Sequence, residues 1–369
     1  MTLKILVISS YTGAVNSVRP EAEMYIRLQQ KGHDVTAMTP GLSEYSEKFK
    51  KEGIKVIDFA PSKKVDAKAI AFIRQELIAG KYDILHLFNN KAIVNGCFAA
   101  RGLPVKVLTY RGYTGNIYWW DPICYLTHLN PRVDKIVCLS DSVKEWLDKQ
   151  LIGRTYKTIV INKGHHPSWF ESTEKIDLKQ FGIPKGAIVF GCIANIRKMK
   201  GLPYLLRSTY LINKELPIHF LLVGDKMNNP KFSKLIENSP MKDKIHITGF
   251  RKDALNLMAS CNATVLASIK GEATPKAVIE SMYLGITPIL TNIPGNRNMV
   301  EDGKSGFIVP SKNPEALAMA ITKVAQLAPE ERVQIGKNAQ ERAIKLFNIE
   351  DSVEKYIQLY QILAGKAEN

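Results

Sequence analysis

Two glutamates in the stretch GEATPKAVIESMYLGITPIL, Glu272 and Glu280, are the residues whose type and spacing first suggest chemistry. Eight residues of continuous helix advance about 12 Å, so the two carboxylates cannot act as one pair if both are helical. A helix that begins inside the stretch arranges them better, because Thr274 suits an N-cap and Pro275 suits a first helical position. Glu272 then lies in the loop before the helix, and Glu280 lies in its second turn.

The start of this predicted helix offers an anion site between the two acids. Backbone N–H groups near Lys276 and Ala277 would carry a partial positive charge and could face a phosphate. Carboxylates accept hydrogen bonds from hydroxyl groups, so Glu272 could hold a transferred sugar and Glu280 a ribose. A sugar–diphosphate–ribose ligand fits this order. The same pattern also fits a solvated loop acid followed by a solvated helix acid.

A second stretch, ANIRKMKGLPYLL, places Arg197, Lys198 and Lys200 between a predicted strand and a predicted helix. At the carboxyl end of a strand these cations could neutralise a departing diphosphate. Gly201 permits a close backbone approach, and Pro203 suits the start of the helix. The sequence has no Asp-x-Asp motif and no convincing His/Cys cluster, so we expect these cations to replace Mg²⁺, with no metal and no other cofactor.

Short apolar segments alternate with amphipathic segments along the whole chain, which is the pattern of an α/β fold. The predicted strands span residues 4–9, 33–39, 55–60, 83–88, 105–110, 135–140, 158–163, 188–194, 218–224, 245–250, 263–268 and 287–292. They predict two doubly wound sheets, with ligands at the carboxyl ends of the strands and in the cleft between domains.

The predicted domains are residues 1–165 and 166–345, followed by a helical segment at 346–369. Gly, Pro and polar residues at 162–172 indicate the joint between the two domains. His165 and His166 lie there, but adjacent side chains diverge, which favours a linker over a metal site.

The 369-residue chain carries a net charge of +16, and the basic excess is present in both halves. Such a surface favours anionic partners, although a nucleic-acid binder would concentrate the charge on one patch. The sequence has no apolar run of the roughly 18 residues that a transmembrane helix needs. Its five cysteines are scattered, which indicates reduced core residues of a cytosolic protein.

The C-terminal half resembles the retaining glycosyltransferases of family four, which have the two-domain GT-B fold. Its E-x7-E motif is Glu272 to Glu280, and the segments ESMYLGITPIL, TNIPGNRNMVEDGKSGFIVP, LLVGDK and ITGFRKD resemble further parts of the family pattern. VINKGHHPSWF and LFNIEDSVEKYIQLY extend the resemblance over nearly the whole chain. It implies two Rossmann-like domains facing across a cleft, with a C-terminal helix crossing back to the first.

The resemblance also implies an activity, namely metal-independent transfer of a hexose from a nucleotide-diphosphate sugar to an acceptor hydroxyl, with retention at the anomeric carbon. The catalytic residues that it implies are Glu272, Arg197, Lys200 and Arg111. The donor-binding residues that it implies are Gly13, Gly224, Arg251, Thr274, Pro275, Lys276, Ala277 and Glu280.

The sequence departs from the family pattern at three places. Asn195 stands where the family has an arginine, and the first loop has the single glycine Gly13 instead of a pair. Arg111, in TYRG, stands where the family often has a histidine. Arginine cannot act as a base at neutral pH, but it could steady a phosphate or an acceptor anion. Asn89, Asn90 and residues 118–122 (YWWDP) could shape the acceptor side, or the aromatic residues could only pack.

The expected partners are a nucleotide sugar and a glycan or glycolipid acceptor of cell-envelope polysaccharide or lipopolysaccharide synthesis, without nucleic acid. The expected location is the cytoplasm, with peripheral contact to the anionic inner face of the plasma membrane. Alternatives are a nucleotide-sugar epimerase of the same fold and a nonenzymatic nucleic-acid binder. A dinucleotide-dependent oxidoreductase is disfavoured because SSYTGAVNS lacks the G-x-G-x-x-G spacing.

Overall fold

The computed structural model describes residues 1–13, 15–195, 197–227 and 229–367, which form two compact units. Unit 1 comprises Met1–His165 and Phe347–Asn369, and unit 2 comprises His166–Leu346. Each unit is a parallel sheet with helices in its crossover connections. Among the described residues, no helix combines the length and the apolarity needed to cross a bilayer.

Unit 1 contains a seven-stranded parallel sheet in the order β3-β2-β1-β4-β5-β6-β7. Its strands are β1 (Lys4–Ile8), β2 (Asp34–Thr39), β3 (Lys55–Asp58), β4 (Ile84–Leu87), β5 (Lys106–Arg111), β6 (Lys135–Cys138) and β7 (Thr158–Val160). Its first helices are α1 (Val15–Gln30), α2 (Glu44–Lys51), α3 (Ala67–Gly80), α4 (Asn90–Ala99) and α5 (Asp141–Asp148).

Unit 2 contains a six-stranded parallel sheet in the order β10-β9-β8-β11-β12-β13. Its strands are β8 (Ile188–Ile193), β9 (Ile218–Val223), β10 (Ile245–Gly249), β11 (Ala263–Leu266), β12 (Thr287–Asn292) and β13 (Phe307–Pro310). Its helices are α6 (Ser168–Glu171), α7 (Leu202–Ser208), α8 (Pro230–Glu237), α9 (Ala254–Ala259), α10 (Lys276–Tyr283), α11 (Pro314–Gln326) and α12 (Pro329–Leu346).

The last helix, α13 (Ile349–Ala364), belongs to unit 1 and packs against α1. Its Tyr360 is fully buried, and the phenol oxygen lies 2.8 Å from Nδ1 of His86 in β4. Tyr25 of α1 reaches the same nitrogen at 2.7 Å. Burial lowers the pKa of His86 to about 3, so this hydrogen-bonded junction contains a neutral imidazole.

The two sheets confirm the predicted α/β architecture, and each of the twelve predicted strands is present. Strand β13 (Phe307–Pro310) is not among the predicted strands. It pairs in parallel with β12 and completes the edge of the second sheet. The five cysteines are buried and unpaired, as expected.

In each sheet there is one pair of adjacent strands whose crossover connections run in opposite directions. Doubly wound proteins bind ligands at this point. In unit 1 this point lies between β1 and β4, and in unit 2 it lies between β8 and β11. The loops that follow β8 and β11 contain the predicted cations and Glu272. The topology therefore brings together two segments that are about 70 residues apart in the sequence.

Candidate functional site

Glu272 is the centre of the candidate site in unit 2. Its side chain is only 8% exposed, although it lies in the loop between β11 and α10. Lys200 Nζ lies 2.7 Å from Glu272 Oε1, and Ser268 Oγ donates to the same oxygen at 2.6 Å. The described residues supply no hydrogen bond to Oε2, which leaves this oxygen as an acceptor for a ligand hydroxyl.

The loops after β8 and β11 are in direct backbone contact. The amide of Ile269 donates to the carbonyl oxygen of Met199 at 2.7 Å. Gly201 has a φ of +65°, and a Cβ atom there would lie 1.9 Å from the carbonyl oxygen of Ala267. A side chain at this position would push the loops apart and separate Lys200 from Glu272, so the predicted close approach at Gly201 is confirmed.

A second glycine allows the loop after β12 to reach the same site. A Cβ atom on Gly295 would lie 2.0 Å from the carbonyl oxygen of Glu272. The next residue, Asn296, is fully buried and donates from Nδ2 to the carbonyl oxygen of Thr291 at 3.0 Å. The backbone of Glu272 is thus in contact with a third loop, which fixes its position further.

The helix after Glu272 begins one residue later than expected. Its N-cap is Pro275, and no side chain in the described ranges caps it, so the prediction of Thr274 as the capping residue is wrong. The physical reason is that Pro275 has an extended backbone, with ψ at 117°, and the helical residues begin at Lys276. The first amides of a helix have no partner within the helix. The N–H groups of Lys276 and Ala277 are therefore suitable donors for an anion.

Glu280 lies on α10 as predicted and is 8% exposed. Nζ of Lys276, one helical turn earlier, lies 2.7 Å from its Oε1. This pair places a positive charge beside the helix start and keeps the Glu280 carboxylate in a fixed position. The arrangement gives α10 two features that suit a nucleotide ligand, namely first-turn amides without an acceptor among the described residues and an acid in its second turn.

A cavity of about 530 Å³ lies at the ends of β8, β9 and β10. It is lined by Asn195, Arg197, Asp225, Lys226 and Phe250. Gly224 enters the same region through a close approach, because a Cβ atom there would lie 2.0 Å from the carbonyl oxygen of Ala194.

Arg251, which was predicted to bind the donor, directly follows the lining residue Phe250 in the chain but does not line the cavity. Its guanidinium instead binds both carboxylate oxygens of Asp253, at 2.8 and 2.7 Å. Arg197, in contrast, lines the cavity and is exposed. Its role as a neutralising cation stays a prediction.

Arg111, at the end of β5 in unit 1, is 4% exposed, and its side chain binds the backbone of the loop that directly follows it. Its Nε donates to the carbonyl oxygen of Tyr113 at 2.9 Å, and its Nη2 donates to that of Gly115. The guanidinium lies 3.6 Å from the centre of the Tyr113 ring, and burial lowers the pKa of Arg111. These contacts favour a structural role, and a role toward the acceptor stays a prediction.

The other predicted residues of unit 1 are divided between capping, packing and exposure. Asn89 caps α4 by accepting from the amide of Ala92 at 2.9 Å, and it is exposed, as are Gly13 and Asn90. In the aromatic run, Tyr118 packs edge to face on Trp146 and stacks on Trp120. None of these contacts assigns a ligand.

Ser268 is a site residue that was not predicted from the sequence, as are Gly295 and the cavity residues Asp225, Lys226 and Phe250. Ser268 lies at the end of a predicted strand, four residues before Glu272, and a hydroxyl at a strand end was the one available signal.

For metals, the described ranges contain no group of three or more His, Cys, Asp or Glu residues that could hold an ion.

Comparison with known proteins finds glycosyltransferase matches in both halves of the chain. The family model described as "Glycosyltransferase Family 4" matches residues 22–167, and that described as "Glycosyl transferases group 1" matches residues 173–342. A crystal structure of a glycosyltransferase from Rickettsia africae superposes with a TM-score of 0.84, covering 99% of this chain and 100% of that chain at 22% identity. Each half of the chain thus matches a glycosyltransferase family model, and the chain has the GT-B fold of its structural neighbours.

Two further relatives of this glycosyltransferase are informative. The Escherichia coli UDP-Gal:alpha-D-GlcNAc-diphosphoundecaprenol alpha-1,3-galactosyltransferase is 27% identical over 316 residues, which cover 80% of this chain and 79% of the relative. The crystal structure of Anabaena HepE in complex with UDP and glucose has a TM-score of 0.78 at 17% identity, covering 98% of this chain and 100% of that chain.

Proposed function

We propose that this glycosyltransferase moves a hexose from a nucleotide-diphosphate sugar to a hydroxyl group of a glycolipid acceptor, with retention and without a metal ion. The observation that carries the proposal is the buried carboxylate of Glu272, which is held by Lys200 and Ser268 directly before the uncapped start of α10. The proposal places the protein in cell-envelope polysaccharide synthesis, at the cytoplasmic face of the membrane.

The donor-site roles follow from the chemistry of each group. Oε2 of Glu272 would accept hydrogen bonds from hydroxyls of the transferred sugar. The amides of Lys276 and Ala277 would bind the diphosphate, because they combine unused N–H donors with the helix dipole. Glu280 would accept hydrogen bonds from the ribose.

The sugar transfer consists of one bond exchange at the anomeric carbon. The bond between this carbon and the phosphate oxygen breaks, and a bond to the acceptor oxygen forms on the same face of the sugar. The acceptor's proton passes to the departing phosphate oxygen, so no separate side-chain base is needed. Lys200 and Arg197 would stabilise the negative charge that develops on the diphosphate. Retention rests on the E-x7-E resemblance.

Metal independence rests on the available positive charge. A divalent cation in such a reaction neutralises the leaving phosphate, and two cationic side chains with a helix N-terminus can do the same. We therefore expect the rate to be insensitive to EDTA.

The donor and acceptor classes are suggested by the relatives. The E. coli relative is named for UDP-galactose and a diphosphoundecaprenol acceptor, and HepE was crystallised with UDP and glucose. A UDP-hexose and a polyprenyl-diphosphate sugar are thus the first pair to test. GDP and ADP sugars form the second set.

The experiment is a transfer assay in EDTA with product detection by mass spectrometry and anomeric NMR. We expect a retained glycosidic linkage, and Glu272→Ala and Glu272→Gln should both lower turnover strongly while the circular dichroism spectrum is unchanged. Glu341→Gln, an exposed acid on α12, is the matched control and should behave as wild type.

Three results would contradict parts of the proposal. An epimerised donor without use of the acceptor would replace it with the epimerase reaction. An inverted linkage would remove retention, and full activity of both Glu272 variants would remove Glu272 from the site.

A further inference from the structure

A cluster of lysines at the surface of unit 1 is not used by the proposed reaction. We define the lysine loop as residues 62–68 together with Lys91 at the start of α4. Its four lysines, Lys63, Lys64, Lys68 and Lys91, are all exposed. In the described parts of the chain none of the four forms an ion pair, and Lys91 Nζ donates only to the carbonyl oxygen of Ser62 at 2.7 Å.

A fully buried asparagine holds the loop in shape. Nδ2 of Asn95 donates to the carbonyl oxygens of Lys63 and Lys64, each at 3.2 Å, and to that of Lys91 at 2.8 Å. Its Oδ1 accepts from the amide of Asp66 at 2.8 Å. One side chain on α4 therefore fixes the backbone that carries three of the four lysines.

The one carboxylate of the loop is turned toward the backbone. Asp66 caps α3 by accepting from the amide of Ala69 at 3.2 Å, and it accepts from the hydroxyl of Ser62 at 2.8 Å. These hydrogen bonds, the Ser62 hydroxyl first, lower the pKa of Asp66 and keep it charged. Four lysines against one carboxylate leave a local excess of three positive charges.

An apolar side chain lies in the middle of these charges. Val65 is 52% exposed, although it directly follows Lys63 and Lys64. The loop follows β3 and contacts the start of α4, which follows β4, so it lies at the carboxyl edge of the sheet. This is the edge where α/β proteins bind their ligands.

We infer that the lysine loop docks unit 1 onto anionic phospholipid headgroups at a bilayer surface. Lysine ammonium groups on flexible stems suit a field of separate headgroups better than one fixed phosphate. Each such cation is attracted to an anionic leaflet, and an exposed apolar residue among them can enter the interfacial layer. The inference rests on the proposed function, since a lipid-linked acceptor requires the enzyme to meet the bilayer.

The test is co-sedimentation of the full chain with vesicles of phosphatidylcholine alone and of phosphatidylcholine with 30% phosphatidylglycerol, without nucleotide sugar. We expect binding to the anionic vesicles only, weakening as NaCl is raised. At about 1 kcal/mol per lysine, each substitution should weaken binding about fivefold, and K63Q/K64Q/K68Q on the order of 100-fold. Val65→Ser should weaken it further.

The matched control is K179Q/K185Q/K242Q, three exposed lysines of unit 2 with the same change in charge. It should bind vesicles nearly as wild type does. Equal loss in both triple variants, or wild-type binding by the lysine-loop variant, would overturn the inference. So would tighter binding to a DNA duplex than to anionic vesicles at the same ionic strength. Turnover on a short-chain soluble acceptor should be unchanged in K63Q/K64Q/K68Q, which separates this test from that of the transferase reaction.

Discussion

Replacing Ser268 with alanine tests whether the geometry of Glu272 matters for catalysis. The hydroxyl is fully buried, donates to Glu272 Oε1 at 2.6 Å and faces a carboxylate that is 8% exposed. Its removal leaves Lys200 as the remaining hydrogen-bond partner of that carboxylate among the residues that the structure describes. The carboxylate would then be free to rotate about its last bond and would present Oε2 to the sugar less often.

The magnitude follows from the type of hydrogen bond. A hydrogen bond to a charged group contributes about 1.5–3 kcal/mol. If this energy stabilises only the transition state, its loss lowers kcat/KM by about 10- to 150-fold. We therefore expect kcat/KM to fall by at least about tenfold in S268A. The affinity for the free nucleoside diphosphate should not change, because Glu272 is proposed to contact the sugar.

The assay combines steady-state transfer kinetics with calorimetric titration of the nucleotide. Ser208→Ala is the matched control, because this serine is also fully buried and donates to the carbonyl oxygen of Leu205 at 2.6 Å. It should lose stability without losing kcat/KM. Wild-type kinetics in S268A, or an equal loss in nucleotide affinity, would show that Ser268 does not hold Glu272 for contact with the sugar.

Three further predictions concern the loops and the core. Gly201→Ala should lower the free energy of unfolding by about 1–3 kcal/mol and abolish turnover, since the added methyl group meets the Ala267 carbonyl oxygen at 1.9 Å; urea titration and a transfer assay check this. Arg111→Ala should impair transfer more than nucleotide binding because the 113–115 loop loses its anchor, and unchanged kinetics would leave Arg111 without a role in transfer. Burial lowers the pKa of His86 and of His128 to about 3, so the unfolded chain binds protons below about pH 6.5 that the fold does not. The free energy of unfolding should thus fall between pH 6.5 and 3 by about 1.4 kcal/mol per pH unit for each histidine. The slope should be shallower in His128→Gln, and a free energy of unfolding that does not change with pH in this range would contradict the prediction.

The strands and the positions of Glu272 and Glu280 before and on α10 could be predicted because they rest on local patterns. Buried parallel strands are short runs of Val, Ile and Leu, and the acid–helix–acid order around Pro275 is visible in one stretch. Strand β13 was not predicted because FIVP is only four residues long and follows a segment rich in glycine and charged residues. The start of α10 was misplaced by one residue because the backbone of Pro275 determines it, and Thr274 contributes no cap.

The contacts that shape the site could not be predicted because they join distant segments. The approach of Gly295 to the backbone of Glu272, and that of Gly201 to Ala267, depend on three loops from different crossover connections. For Arg111 the sequence suggests a ligand role that its local contacts do not support. A cation at a strand end fits a ligand role by sequence, yet its donors bind carbonyl oxygens two and four residues further along its own loop.

A thermal-shift screen with UDP, GDP and ADP sugars in EDTA, on wild type and on Glu280→Ala, tests whether α10 carries a metal-independent nucleotide-sugar site. A ligand at 100 times its Kd should add about 2.7 kcal/mol of stability, which gives a readily measured shift. We expect one nucleotide class to stabilise the wild type without metal and the Glu280→Ala variant to lose most of this shift. Stabilisation that requires a divalent cation, or that is equal in both proteins, would contradict a metal-independent donor site on α10.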